Sequence, residues 1–385
     1  MAIDNKEKEV LNVPPLRFPE FTGEWQCKAI EKVAPLQRGF DLPTQNLVEG
    51  IYPVIYSNGI LQHHDKYKCE APGLITGRSG TIGKFTYIDS GFYWPHNTSL
   101  WVTDFCGNCP KFIYYLYQTV HIEQFSTGSG VPTLNRNDVH RYKTSVPTAI
   151  VEQEKIAKFL SILDERIVTQ NKIIEDLNKL KSAIIEMEYT HKTKGNTHIG
   201  DFIEQTSKRN KDSAIQNVLS VSNSQGFIQQ CEQFENRSVA SDDISNYKIV
   251  ERNCFAFNPA RINVGSIARL TTFNRGIVSP MYICFRTKDN LFPEYLDYYF
   301  ESKQFFTEIQ KRLEGSVRQC LSYEGLCNIP LCIPTVEVQQ QTGKRLSTLV
   351  QEIKLEIDFL ELLHVLYLQP IITQYFATNK SEIWS

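Results

Sequence analysis

The stretch Gly77-Arg78-Ser79-Gly80-Thr81-Ile82-Gly83-Lys84 has the outline of a phosphate-binding loop. A P-loop keeps four residues between its glycines and places Ser or Thr after the Lys, because that hydroxyl holds magnesium. Here five residues separate Gly77 from Gly83, and Phe85 follows Lys84. A related stretch, Asn258-Pro259-Ala260-Arg261-Ile262-Asn263-Val264-Gly265-Ser266, has no Lys at that place, which argues against nucleotide binding. What the two share is a turn carrying one arginine, Arg78 and Arg261. Backbone N–H groups beside a guanidinium suit phosphate or guanine; a solvated Arg on a structural hairpin accounts for the same residues. Cys106-Gly107-Asn108-Cys109 is a lone C-x-x-C, and zinc wants four ligands, so a strand-to-helix turn is the simpler meaning. His63-His64 lacks a third ligand. The Asn258-Pro259 loop lacks the second Pro and the aromatic residue of amino-methylating enzymes. No Gly-x-Ser-x-Gly, no His-Glu-x-x-His and no acid cluster with a following Lys occurs. Dispersed catalytic groups leave no such signature, so a small-molecule enzyme stays an alternative.

Bulk composition narrows the field. The chain has 385 residues, 41% of them hydrophobic and 22% charged, as in ordinary globular proteins. No run of 18 apolar residues suggests a membrane span. The opening MAIDNKEKEV is charged, so no secretory signal is expected, the ten cysteines read as reduced thiols, and a cytoplasmic location follows. Net charge is −2. Residues 11–149 hold 12 Lys+Arg against 11 Asp+Glu, and residues 193–333 hold 16 against 15. A nucleic-acid binder of this charge must gather its cations on one face.

Self-comparison shows an internal repeat. Gly83 matches Gly265 at an offset of 182, and Thr98–Val102 matches Met281–Phe285 at 183 as a buried strand. Pro110 and Pro293 open similar aromatic segments, also at 183; Gly128-Ser129 matches Gly315-Ser316 at 187, as do Leu134 with Leu321 and Pro147-Thr148 with Pro334-Thr335. Each copy ends in a heptad seam. The first runs Ile156, Leu160, Leu163, Ile167, Gln170, Ile174, Leu177, Lys181, Ile184; the second runs Leu346, Leu349, Ile353, Glu356, Leu360, Leu363, Tyr367, at an offset of 186. Spacing of 3.5 residues indicates a coiled-coil seam. Thr148 and Thr335 are the expected N-caps, and a first helix over roughly 150–188 would be about 58 Å long at about 1.5 Å per residue. Gln170 and Glu356 place a polar group at one repeat position, either to set register or in solvent beside an off-axis seam. Gly343 stands where the first copy has Ala157, and Pro370 should end the second helix near Gln369.

The expected fold class is α+β: two pseudo-symmetric globular domains separated by two long antiparallel coiled-coil helices. The expected bounds are 1–149 for the first domain, 150–192 for the central helix, 193–333 for the second domain and 334–385 for the distal helix and tail. Each domain reads as a largely antiparallel sheet with one aromatic-rich helix.

With these elements in place, the chain resembles the specificity subunit of type I restriction–modification systems. The likeness rests on Leu16-Arg17-Phe18-Pro19-Glu20-Phe21-Thr22-Gly23-Glu24-Trp25, the Gly80–Lys84 turn, Gly128–Leu134, and above all Glu152–Asp164 at the start of the central helix. The resemblance implies two target-recognition domains reading a bipartite site in double-stranded DNA. It also implies docking of DNA adenine methyltransferase subunits and of restriction/translocase subunits. S-adenosylmethionine, ATP and Mg would then bind those partners and not this chain, which would be non-catalytic. The second helix start, Glu337–Gly343, departs from the pattern. The DNA contacts are sought in a pool of loop cations: Arg78, Lys84, Arg136, Arg141 and Lys143 in the first domain, Arg261, Arg269, Arg275 and Arg318 in the second. A coiled-coil scaffold without DNA contact is the competing reading.

Overall fold

The computed structural model describes residues 13–127, 130–190, 197–223, 225–230, 243–315 and 319–376. The chain divides into two compact units, residues 1–171 with 358–385, and residues 172–357. The fold is α+β.

In the first unit eight strands carry the domain: β1 Leu36–Arg38, β2 Tyr52–Tyr56, β3 Gly59–His64, β4 Cys69–Glu70, β5 Gly73–Gly77, β6 Phe85–Ile88, β7 Phe92–Pro95 and β8 Ser99–Val102. They form two four-stranded sheets, ordered β1-β8-β5-β6 and β3-β2-β7-β4. The second unit has its own eight: β9 Ile203–Thr206, β10 Val218–Ser222, β11 Gly226–Gln229, β12 Lys248–Glu251, β13 Phe255–Phe257, β14 Ile267–Arg269, β15 Arg275–Val278 and β16 Ile283–Thr287. Their sheets are ordered β9-β16-β13-β14 and β11-β10-β15-β12, the first pattern with every label raised by eight. Even the one parallel pairing recurs, β2 with β7 and β10 with β15. The domains therefore repeat in topology as well as in sequence, and each holds one antiparallel sheet and one sheet with a single parallel pairing, where the sequence suggested one largely antiparallel sheet. Gly83 and Gly265, aligned in the repeat, both have positive φ, at 86° and 91°, just before β6 and β14. Only glycine adopts that backbone without strain, which explains why it stands in both copies.

Helix α1, Pro110–Thr119, follows β8, and its counterpart α4, Pro293–Tyr299, follows β16; each has proline in the first turn. Proline suits that position because the N–H it lacks has no intrahelical acceptor. Their buried faces, Phe112, Ile113, Tyr115, Leu116 and Tyr117, then Tyr295, Leu296, Tyr298 and Tyr299, supply much of each core. A short helix α2, Arg136–Arg141, lies between α1 and the long helix α3, Ile150–Thr190. Because α3 starts at Ile150, Ala149 and not Thr148 precedes it; Thr335 does directly precede α5, Val336–Leu362.

Every seam position of α3 is buried or half-buried. In the first unit Ile156, Ala157 and Leu160 share a core with Trp25, Phe112, Ile372, Tyr375 and Phe376. Phe159 meets Tyr375 at 6.3 Å and Arg166 lies over the Phe359 ring at 5.5 Å, so here the two helical segments run antiparallel. In the second unit Ile184, Ile185 and Tyr189 share a core with Leu346, Leu349 and Ile353, with Leu177 packed against it. Ile167, Ile174 and Leu360 are half-buried and Leu363 is buried. Gln170 is wholly buried, which removes the solvent alternative for that residue, while Glu356 is half-buried.

The expected stop near Gln369 does not occur. A π-helical turn, Leu363–Leu368, follows α5, and the chain continues as α6, Gln369–Phe376. Inside an α-helix the proline ring meets the carbonyl four residues back. The wider π turn changes the hydrogen-bond register just upstream, so Pro370 falls in the opening turn of α6, where proline is tolerated. Gly343 also has a local reason. A Cβ there would lie 3.3 Å from Glu294 Cβ and 3.7 Å from the Phe292 ring, so glycine lets α5 approach the start of α4 closely.

Candidate nucleic-acid interface

The first domain gathers part of the predicted cation pool, and backbone bonding explains how. Residues 78–80 are stitched to 132–134: Gly80 N–H donates to Pro132 O at 3.0 Å and Leu134 N–H to Arg78 O at 2.8 Å. That bonding carries Arg78 next to Asn135 and Arg136, where α2 begins. Asn135 caps α2, accepting the Asn137 N–H at 3.1 Å. From the far end of α2, His140 Nε2 accepts the Leu36 N–H at 2.8 Å, which brings β1 alongside. β1 ends in Gln37 and Arg38. The result is a cleft of about 610 Å³ lined by Gln37, Arg38, Arg78, Thr127, Asn135 and Arg136, among others.

Arg136 is exposed and Arg78 half-buried. Arg38 pairs with Asp41 at 2.8 Å, on the solvent side. Burial, with the nearby Arg136 charge second, lowers the His140 pKa, consistent with a neutral ring accepting a hydrogen bond. Three guanidiniums beside two side-chain amides can read base edges, since Arg fits guanine and Asn or Gln fits adenine.

The other predicted cations of this domain lie outside that cleft. Lys84 is exposed just ahead of β6, Arg141 pairs with Asp138 on α2, and Lys143 is exposed on the strand Lys143–Val146, opposite Ala29. Arg38 and Gln37 went unnoticed in the sequence, where a neighbouring Gln-Arg pair is unremarkable.

In the second domain the pool scatters. Arg261 is exposed, at the start of a one-turn 3₁₀ segment, Ile262–Val264. Arg269 is bonded within its own domain: its Nε donates to Asp297 at 3.0 Å, and its other nitrogens reach Glu294 at 3.4 Å and Asn253 at 3.2 Å. Burial raises the Asp297 pKa while the Arg269 charge opposes that shift. The guanidinium therefore ties β14 to α4 and is committed to the domain itself. Arg318 lies outside the described residues. Arg275 is exposed at the start of β15 and lines a cleft of about 770 Å³ with Lys208, Arg209, Lys211, Asp212 and Glu251. The local run Lys208-Arg209-Asn210-Lys211 was the available signal for this cleft.

Reasoning from sequence also missed a pair of buried glutamines, Gln153 and Gln339, at the same offset of 186 as the seams. Gln153 Oε1 accepts the Cys109 N–H at 2.8 Å; its Nε2 donates to Asn108 Oδ1 at 2.8 Å and Pro147 O at 2.9 Å. Gln339 Oε1 accepts the Phe292 N–H at 2.8 Å; its Nε2 donates to Asn290 O at 3.1 Å and Pro334 O at 2.9 Å. Each glutamine bolts the first turn of a long helix to the residue that caps the aromatic helix of its own unit. The Cys106–Cys109 segment is thus a turn with Cys109 capping α1, and among the described residues no group of His, Cys, Asp or Glu is placed to hold a metal ion. Among the described residues no helix is long and apolar enough to cross a membrane.

Comparison with known proteins places these features. Residues 22–179 match the family described as type I restriction modification DNA specificity domain. The S subunit of a type I restriction-modification system from M. genitalium is similar over 95% of this chain and 100% of its own, at 17% identity and a TM-score of 0.63. A chain solved in work on complex assembly and conformational transition of the type I R-M system is similar over 92% of this chain and 98% of its own, at 14% identity and a TM-score of 0.53. No curated protein matches the sequence. The segment 22–179 is thus similar to the type I restriction modification DNA specificity domain, and the chain as a whole shares the fold of the solved S subunit.

Proposed function

We propose that this chain reads a bipartite site in double-stranded DNA, one short element per domain, and directs partner subunits to it. Those partners are DNA adenine methyltransferase subunits and restriction/translocase subunits, docked along the long helices. S-adenosylmethionine, ATP and Mg belong to them. The observation that carries the reading is the repeat of strand order: the same eight-stranded pattern occurs twice, and each copy has a cation-lined cleft with different residues in it. Equal scaffolds with unequal clefts suit two unlike half-sites. The heptad seams, the buried glutamine bolts and the helix-bound aromatic cores hold each domain on its helices, as a spacing device requires. A mobility-shift assay with the full chain and co-expressed methyltransferase subunits tests this, using random-sequence duplexes at stated salt. Sequence-dependent retardation is expected. Assembly of the subunits without any DNA retention would favour the scaffold reading instead.

A further inference from the structure

The cleft of the second domain differs from that of the first in kind, and its contents point to one role. We propose that Lys208, Arg209, Lys211 and Arg275 form a clamp for the DNA sugar-phosphate backbone, which holds the duplex against the second domain while other groups of that domain read its bases. The proposal rests on the DNA-recognition reading and specifies how the second domain carries it out.

Composition of the lining is the first argument. Four cations and two carboxylates, Asp212 and Glu251, line this cleft, leaving an excess of positive charge in a domain that is otherwise nearly neutral. Among the described residues no Asn or Gln lines it, in contrast to Gln37 and Asn135 in the first domain. Lysine ammonium groups act as point charges for phosphate and arginine forks pair with phosphate oxygens, while the side-chain amides that read adenine in the first cleft have no counterpart among the described lining residues of this one. Among the described residues, Lys208, Lys211 and Arg275 have no ion-pair partner within 4.0 Å, so their charges face solvent. Arg209 donates one N–H to Asn246 at 2.8 Å, which orients its guanidinium and leaves other donors available.

Rigidity is the second argument. The loop bearing three of the cations is fastened to its neighbours by main-chain bonds: Ile249 N–H to Lys208 O at 2.8 Å, and Asn210 N–H to Tyr247 O at 3.0 Å. Asn210 itself is completely buried. Its amide donates to Ile215 O at 2.9 Å and accepts the Ile215 N–H at 3.1 Å, closing the loop on itself. Cations on a loop fixed in this way lose little freedom on binding a polyanion.

The test compares the full wild-type chain with a Lys208→Glu, Arg275→Glu variant and an Arg78→Glu, Arg136→Glu variant, each with co-expressed partner subunits. Affinity for several duplexes of different sequence is measured between 50 and 200 mM salt, an interval over which about 6–10 phosphate contacts alter affinity markedly. All four altered positions except Arg78 are exposed, and circular dichroism melting confirms that each variant is folded. The Lys208→Glu, Arg275→Glu variant is expected to lose about tenfold or more in affinity, equally for every sequence. Its log affinity against log salt slope should fall by about 1.8, the value for two lost phosphate contacts. Wild-type affinity and slope in this variant would overturn the clamp while leaving DNA recognition intact. A changed sequence preference would overturn it too, as would lost subunit assembly with DNA affinity unchanged, which would make the cleft a protein-docking surface. If the wild-type complex binds no duplex at all, the DNA reading itself fails.

Discussion

Phe92 and Arg275 occupy the same place in the repeat, the first residue of β7 and of β15. Around Phe92 the first domain sets aromatic rings: Tyr67 at 4.3 Å and Tyr52 at 6.1 Å between centroids. Around Arg275 the second domain sets the cations of its cleft. The first domain keeps its own cations at another place, where the turn after β5 meets α2. The strand order, the positive-φ glycines and the helix-anchoring glutamines survived duplication because each answers a need of the fold. Most side chains at the clefts did not, because the fold demands less of them; Asn135, which also caps α2, is one that the fold does constrain. Divergence thus falls on the linings of the clefts and not on the scaffold that carries them.

The largest effects should come from the shared skeleton. Leu160→Ala and Leu346→Ala are equivalent in the repeat, and both side chains are completely buried. Each should cost about 2–5 kcal/mol, read by hydrogen exchange as a loss confined to its own unit. Equal loosening of both units by either variant would deny that the units are separate cores. Gln153→Leu and Gln339→Leu each strand a buried backbone N–H and two acceptors, at a cost of roughly 2–3 kcal/mol. Chemical denaturation should show similar losses for the two. A large loss in one alone would mean that only one bolt bears load.

A smaller effect separates fold from function at Arg269. Arg269→Met should cost about 1–3 kcal/mol through the stranded carboxylates of Asp297 and Glu294. DNA affinity per folded molecule should stay at the wild-type level. A selective loss of affinity would return Arg269 to the interface.

The smallest effect is a pH dependence confined to the first domain. His140 has a folded pKa below its ordinary value, mainly through burial, and its neutral ring accepts the Leu36 N–H. Because the folded value is lowered, this contribution is complete above about pH 6.5 and is lost as pH falls through the folded value. Acidification should loosen β1 against α2 in hydrogen exchange, and His140→Gln should flatten that response. An unchanged acid response in the variant would assign it to another group.

Much of the architecture was legible because it is periodic. Offsets of 182 to 187 exposed the duplication, and a 3.5-residue step exposed the seams. The π turn at Leu363–Leu368 was hidden, since nothing in Pro370 alone says whether a helix stops or reorganises its hydrogen bonds. The clefts were only half visible. Arg78, Arg136 and Arg275 could be proposed as loop cations, but which loops converge is set by hydrogen bonds such as Gly80 to Pro132 and Leu36 to His140, between residues tens of positions apart. Arg269 looked like its neighbours in the pool because its acidic partners come from α4, 25 and 28 residues further along.

We propose that two domains of one topology read two separate pieces of DNA. Mapping modified adenines across the genome of a host carrying this chain and its methyltransferase subunits tests it most directly, once with the wild-type chain and once with Gln37→Ala, Asn135→Ala. The wild type should yield a split motif, and the variant should relax or alter one half while the other half stays the same. A single undivided motif, or a variant that changes both halves together, would contradict the account.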